Sequence, residues 1–130
     1  MAGGGTQQRL IGLVDDDVSF REALEGLINA FGYATRAFGS AEDFLGGARL
    51  AEMRCLILDV RLGGMDGLEL QSHLRAHGWA TPVIFISSQC DACTRARAMA
   101  AGAVGFLSKP FKRDALISLI EAAANPGPRT

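Results

Sequence analysis

Asp15, Asp16 and Asp17 stand directly after an unbroken apolar run, Leu10 to Val14, and Asp59 stands directly after another, Leu56 to Leu58. Ser87 and Ser88 follow the run Val83 to Ile86, and Lys109 follows Val104 to Leu107 with one serine between. Carboxylates gathered in one place disfavour each other's ionisation, and a divalent cation relieves that repulsion. Oxygen-only donors suit Mg2+, whereas zinc would look for cysteine or histidine. A lysine ammonium can pair with a carboxylate at rest and with a phosphate oxygen later. A metal, a lysine and a hydroxyl around one carboxylate are the parts that neutralise a pentavalent phosphoryl-transfer transition state, with Asp59 as the nucleophile. Taken singly, acids after strands also serve as helix caps, and Asp17 is read as one of these. The ordered combination of Asp15, Asp16, Asp59, Ser87 and Lys109-Pro110 is what points to a site.

Such a site needs elements that bring distant residues to one edge. Short apolar runs alternate with segments of helical spacing from Arg9 onward, which predicts strand and helix units around a parallel sheet. The strands are expected at Leu10 to Val14, Tyr33 to Phe38, Leu56 to Leu58, Val83 to Ile86 and Val104 to Leu107. Between them lie a helix with Phe20, Leu24, Leu27, Ile28 and Phe31 on one stripe, and a short helix capped by Ser40 and closed by Gly46-Gly47. A third helix carries Leu68, Leu70 and Leu74, an alanine-rich one ends near Gly102, and the last carries Leu116, Ile117, Leu119 and Ile120. Strict alternation implies a doubly wound α/β sheet with right-handed crossovers, in which ligands sit at the carboxyl ends of the strands. The expected organisation is a leader over 1–8, one domain over 9–124 and a tail or linker start over 125–130.

A chain of 130 residues, 48% hydrophobic and 21% charged, has the balance of a folded domain. A formal net charge of -1 supplies no field that would draw it to nucleic acid or an acidic membrane, and no apolar run is long enough to span a bilayer. The three cysteines make no disulfide framework, and with no signal-like start a cytoplasmic location is expected.

The stretches Leu13-Val14-Asp15-Asp16-Asp17, Leu56-Ile57-Leu58-Asp59-Val60-Arg61, Met65-Asp66-Gly67, Val83-Ile84-Phe85-Ile86-Ser87, Ala100-Ala101-Gly102-Ala103 and Phe106-Leu107-Ser108-Lys109-Pro110-Phe111 resemble the response-regulator receiver family of two-component systems, and most closely its FixJ and NodW type. The resemblance runs from Arg9 to Ala124. It implies a flavodoxin-like, CheY-like (βα)5 fold with strand order 2-1-3-4-5. It implies that Asp59 accepts phosphate from a sensor histidine kinase, that Asp15, Asp16, Asp59 and the backbone carbonyl of Arg61 bind Mg2+, and that Lys109 contacts the phosphoryl group. Ser87 then fills the Thr/Ser switch position, Phe106 that of the rotating aromatic, and Arg61 and Gln89 positions that modulate phosphate loss. The phosphate would draw in the Ser87 hydroxyl and let Phe106 turn inward, and the surface of the fourth helix, fifth strand and fifth helix would report the change. An output domain or downstream protein, transcription control in the full-length protein and phosphorylation-dependent homodimerisation through the fourth-helix face are implied in the same way.

The sequence departs from the family pattern where Gly63 stands in place of a usual proline, which puts loop rigidity in doubt. Phe106 in place of tyrosine has no hydroxyl, so its two states would differ mainly by packing. The competing reading is a receiver-fold interaction module that signals without phosphate. A phosphatase with an aspartate nucleophile would need a second acid at position 61, where Arg stands, and a flavin site would need a phosphate-cradling loop after the first strand. Cys90 and Cys93 form a C-x-x-C without metal or redox context, and His73 and His77 are read as flanking a solvated helix face.

Overall fold

An apolar run with no polar break feeds two cores when it is a strand, because successive side chains point to opposite faces. The computed structural model describes residues 10–47, 49–62, 64–88 and 92–124. Its strands are β1 (Leu10–Val14), β2 (Ala34–Phe38), β3 (Met53–Asp59), β4 (Val83–Ser87) and β5 (Gly105–Ser108). They alternate with α1 (Val18–Ala30), α2 (Ala41–Gly47), α3 (Gly67–Ala76), α4 (Ala92–Ala100) and α5 (Arg113–Ala124), with a 3-10 turn at Leu50–Glu52 before β3. All neighbouring strands are parallel, in the order β2-β1-β3-β4-β5. Along β3 and β4, Leu56, Leu58, Val83 and Phe85 join Phe44, Leu70, Leu74 and Ala98 in one core. Cys55, Ile57, Ile84 and Ile86 join Leu24, Ile28, Leu116 and Ile120 in the other.

The expected elements are all present, with edges moved. β3 begins at Met53, three residues before the expected start, because exposed Arg54 interrupts the hydrophobic pattern while Met53 and Cys55 on either side of it are buried. β2 loses Tyr33, and β5 starts and ends one residue later than expected, since Val104 is exposed while its amide pairs with the Val83 carbonyl at 2.8 Å. Asp17 is the N-cap of α1, its side chain accepting from the Phe20 amide, and the Ser40 hydroxyl accepts from the Asp43 amide at the start of α2. α3 carries a capping box: the Asp66 carboxylate accepts from Glu69 N, and Glu69 accepts from Asp66 N. The leader, the tail, Gly63, Gln89 and Cys90 lie outside the described residues. No helix among the described residues is long and apolar enough to cross a membrane.

Register decides what meets at the sheet edge. Val14 pairs with Leu58, so Asp15 and Asp59 emerge side by side where the strand order reverses. Asp59 pairs with Ile86 and Ser87 with Ser108, which sets Ser87 and Lys109 beyond the adjoining ends. Gly67, the first residue of α3, lies so close under β3 that an added Cβ would fall 2.3 Å from the Asp59 carbonyl oxygen. Gly67→Ala should therefore cost about 1–3 kcal/mol by overpacking. Gly26→Ala, in open space on α1, should instead stabilise by about 0.5–1 kcal/mol. Urea midpoints of the two variants, moving in opposite directions, check both.

Cys55 is fully buried in β3, and burial pushes its thiol from 9.0 up to about 12. Its folded value is raised, so the stability it contributes is complete below pH 9.0 and is lost as pH rises toward about 12. The stability advantage of the wild type over Cys55→Ala should shrink across that window, read from urea midpoints. At neutral pH, peptide mapping after alkylation of the native protein should find Cys93, which is exposed, modified and Cys55 intact.

Candidate functional site

Two buried carboxylates share one ammonium at the carboxyl edge of the sheet. Lys109 Nζ lies 3.1 Å from Asp15 Oδ2 and 3.0 Å from Asp59 Oδ2. The other oxygen of each acid is held by the turn that follows its strand: Asp15 Oδ1 accepts from Asp17 N and Asp59 Oδ1 from Arg61 N, each at 2.9 Å. Both side chains are almost wholly shielded from solvent, at 1% and 8% exposure. Asp16 is exposed, and one oxygen each of Asp15, Asp16 and Asp59 lies within 4.8 Å of the others.

Burial raises the Asp59 carboxyl above its ordinary value of 3.8, and the charge of Asp15 adds to the rise. The Arg61 amide and Lys109 work against it without cancelling it. For Lys109 burial pulls the ammonium down, but its hydrogen bonds to Asp59 and Asp15 together with their charges outweigh that and leave it above 10.5. Lys109 thus stays charged against Asp15 and Asp59, and with Asp16 close to both acids the cluster keeps negative charge that a hard cation or an electron-poor centre would complete. An all-oxygen set of two buried acids and one exposed acid fits Mg2+, which keeps several waters and takes few protein ligands.

Ser87 is fully buried at the end of β4, and its carbonyl accepts from Lys109 N at 2.7 Å. Ser88 is exposed. Arg61 brings its backbone to Asp59 while its side chain faces solvent. Phe106 is buried in the core, paired with Phe85 across β4 and β5, with the Arg95 guanidinium 5.6 Å from its ring centroid. Any rotation of Phe106 would start from a buried ring. Asp17 is a cap, as expected. His73 and His77 stack at 4.3 Å between ring centroids near the end of α3, with His77 Nδ1 on the His73 carbonyl at 2.8 Å, and no third ligand joins them among the described residues.

Sequence reasoning missed three neighbours of the site. The Phe20 ring lies 4.0 Å below Lys109 Nζ, in cation–π contact, and is itself braced edge-on by Phe111 at 6.0 Å. Phe20 reads in sequence as one more member of the apolar stripe of α1. Arg21 Nη1 donates to the Asp15 carbonyl at 2.7 Å, and Glu42 on α2 accepts from Met65 N at 3.2 Å in the loop after Asp59. Neither contact leaves a signal in the spacing.

Residues 11–121 match the family described as the response regulator receiver domain. The chain is 39% identical over 120 residues to the response regulator protein TodT of Pseudomonas putida, covering 92% of this chain and 53% of TodT. To nodulation protein W of Bradyrhizobium diazoefficiens it is 40% identical over 124 residues, covering 93% of this chain and 55% of that protein. The chain thus spans about half the length of these relatives. Among solved structures, FixJ-N superposes with a TM-score of 0.82 at 32% identity, covering 96% of this chain and all of that one. A chain matched over this span, with this strand order, belongs to the response regulator receiver domain family of two-component systems.

Proposed function

We propose that Asp59 is the phosphoacceptor of this receiver and that a sensor histidine kinase is its donor. The observation that carries the reading is the Lys109 ammonium bridging Asp59 at 3.0 Å and Asp15 at 3.1 Å on adjacent strand ends. An oxygen of the Asp59 carboxylate attacks phosphorus, a P–O bond forms, and the donor's N–P bond breaks with its electron pair returning to the imidazole. Lys109, already among acids that hold it charged, turns toward a phosphoryl oxygen and neutralises part of its charge. Asp15, Asp16, Asp59 and the Arg61 carbonyl would hold Mg2+, which when bound offsets the charge of the carboxylates and of the phosphoryl oxygens. The Ser87 hydroxyl is assigned to follow the phosphate, and Phe106 is assigned as the ring whose packing answers it. Arg61 and Gln89 are assigned to the rate of phosphate loss. Hydrolysis of its own acyl phosphate is the sole turnover assigned to this chain.

In the full-length protein the switched surface controls an output domain or a downstream protein. Relatives called transcriptional regulatory proteins, FixJ among them, favour transcription as that output. A kinase partner of this kind places the protein in the cytoplasm. No nucleic-acid contact is assigned to this segment, whose net charge is -1.

Incubation with Mg2+ and acetyl phosphate should add one phosphoryl group to the wild type by intact mass, and none to Asp59→Asn. Lys109→Ala should slow labelling by on the order of a hundredfold, the loss that follows removal of one group stabilising transition-state charge. A wild type that takes no adduct would favour the phosphate-independent interaction module instead. Met99 in α4 and Val104 just before β5, 45% and 46% exposed, are apolar side chains that a second copy would cover at that surface. Sedimentation should accordingly show a shift toward dimer with a phosphate mimic, and an unchanged monomer would remove dimerisation from the proposal.

A further inference from the structure

The loop from Asp59 to Asp66 carries Arg61, whose amide holds Asp59, and it must keep its path for that amide and the adjoining carbonyl to serve the site. Both ends are fixed. At one, Val60 N donates to Ile86 O and Leu62 is buried; at the other, Gly67 N donates to Val60 O and Asp66 caps α3. The middle contains Gly64, with a φ of +80° that favours glycine. A glycine there, next to a position where the family usually carries proline, gives the unfolded loop more freedom to lose and leaves the chain itself to supply no stiffness.

The restraint comes from another element. Glu42 Oε2 accepts from Met65 N at 3.2 Å, and a Cβ placed on Gly64 would fall 3.0 Å from the same oxygen, so the loop backbone runs directly against this carboxylate. Glu42 stands on a firm base: Ala41 and Phe44 on either side of it in α2 are fully buried, Phe44 packs edge-on to Phe38 at 5.2 Å, and Ser40 caps the helix. The carboxylate therefore sits on an anchored turn and reaches across to the Gly64–Met65 backbone.

We infer that Glu42 is a positioning residue, an acceptor on α2 that latches the Gly64–Met65 segment and so holds the Arg61 backbone where Asp59 and its cation need it. This rests on the reading of Asp59 as phosphoacceptor, and it adds a residue outside the strand ends to the machinery. The latch works through hydrogen-bond acceptance, so Glu42→Gln, whose amide oxygen still accepts, should preserve it, and Glu42→Ala should not.

The test uses the whole chain in three measurements: amide hydrogen exchange of Met65 without metal, Mg2+ titration followed by amide shifts, and labelling by acetyl phosphate. In Glu42→Ala the Met65 amide should exchange about tenfold faster. Mg2+ affinity should fall by about tenfold, the size of loss common when a group that orients a metal ligand is removed, and labelling at limiting Mg2+ should slow in step. Glu42→Gln should stay within about twofold of the wild type in all three. Unchanged Met65 exchange in Glu42→Ala overturns the latch. Equal losses in both variants also overturn it, since they would mark an effect of charge on the cation and not of acceptance. If the wild type takes no phosphoryl group while Met65 exchange still depends on Glu42, the phosphoacceptor reading falls and the latch stands.

Discussion

The arrangement depends on one charge relation: Asp15 and Asp59, each shielded from water, share Lys109 as their ion-pair partner among the described residues. Burial and the charge of Asp15 raise the Asp59 carboxyl, and a single ammonium cannot balance both acids and Asp16 as well. Ion pairs of this kind are poor sources of stability, since well-packed apolar residues in their place often serve the fold better. Their presence at three strand ends therefore argues for chemistry. On the reading of Asp59 as phosphoacceptor, a carboxylate already stripped of much of its water, with its second oxygen pinned by the Arg61 amide, would need little reorganisation to act as the nucleophile.

That relation explains the topology more than the topology explains it. The acids must leave neighbouring parallel strands in the same direction, which Val14 opposite Leu58 accomplishes, and the lysine must come from the far side of β4, which Ser87 opposite Ser108 accomplishes. Parallel pairing forces a helical crossover between each pair, and the crossovers supply the two cores. The helices also contribute at their first turns. Phe20 and Arg21 approach the site from α1 just after its cap, and Glu42 approaches from α2 just after Ser40.

Strand ends were legible because an apolar run stopped by a charge is a local signal. Asp15, Asp59 and Lys109 could be placed on one edge from the alternation of elements and the rule for open parallel sheets. β3 was read too short because Arg54 breaks the run, although the alternation of Met53, Arg54 and Cys55 was there to be followed. The Asp66-x-x-Glu69 capping box is also visible as spacing. Phe20 beneath Lys109 and Glu42 at Met65 are different in kind: each joins residues distant in sequence through the angle of a helix against the sheet, and no periodicity records that angle. The roles of Ser87 and Phe106 came from family resemblance, since a buried serine and a buried phenylalanine are by themselves ordinary core residues.

The path from site to surface follows from how few links separate them. Lys109 N is bonded to the Ser87 carbonyl at 2.7 Å, so the ends of β4 and β5 cannot move independently. Three residues before Lys109, Phe106 lies in the core with Arg95 of α4 over its ring. On the proposed phosphorylation of Asp59, a turn of Lys109 toward the phosphate would load the bonded ends of β4 and β5, and the contact between Phe106 and Arg95 lies next along β5. The opposite core, with Ile57, Ile84 and Ile86 locked among Leu24, Ile28 and Ile120, carries its own aromatic–cation contact, Lys109 over Phe20, which sits at the site and not on α4. A dense aliphatic face resists repacking, whereas a cation–π contact at a helix surface can be traded for solvent at a cost of about 0.5–1 kcal/mol. On the proposed phosphorylation of Asp59, the Phe106–Arg95 contact is the one that would carry the change to α4 at small cost.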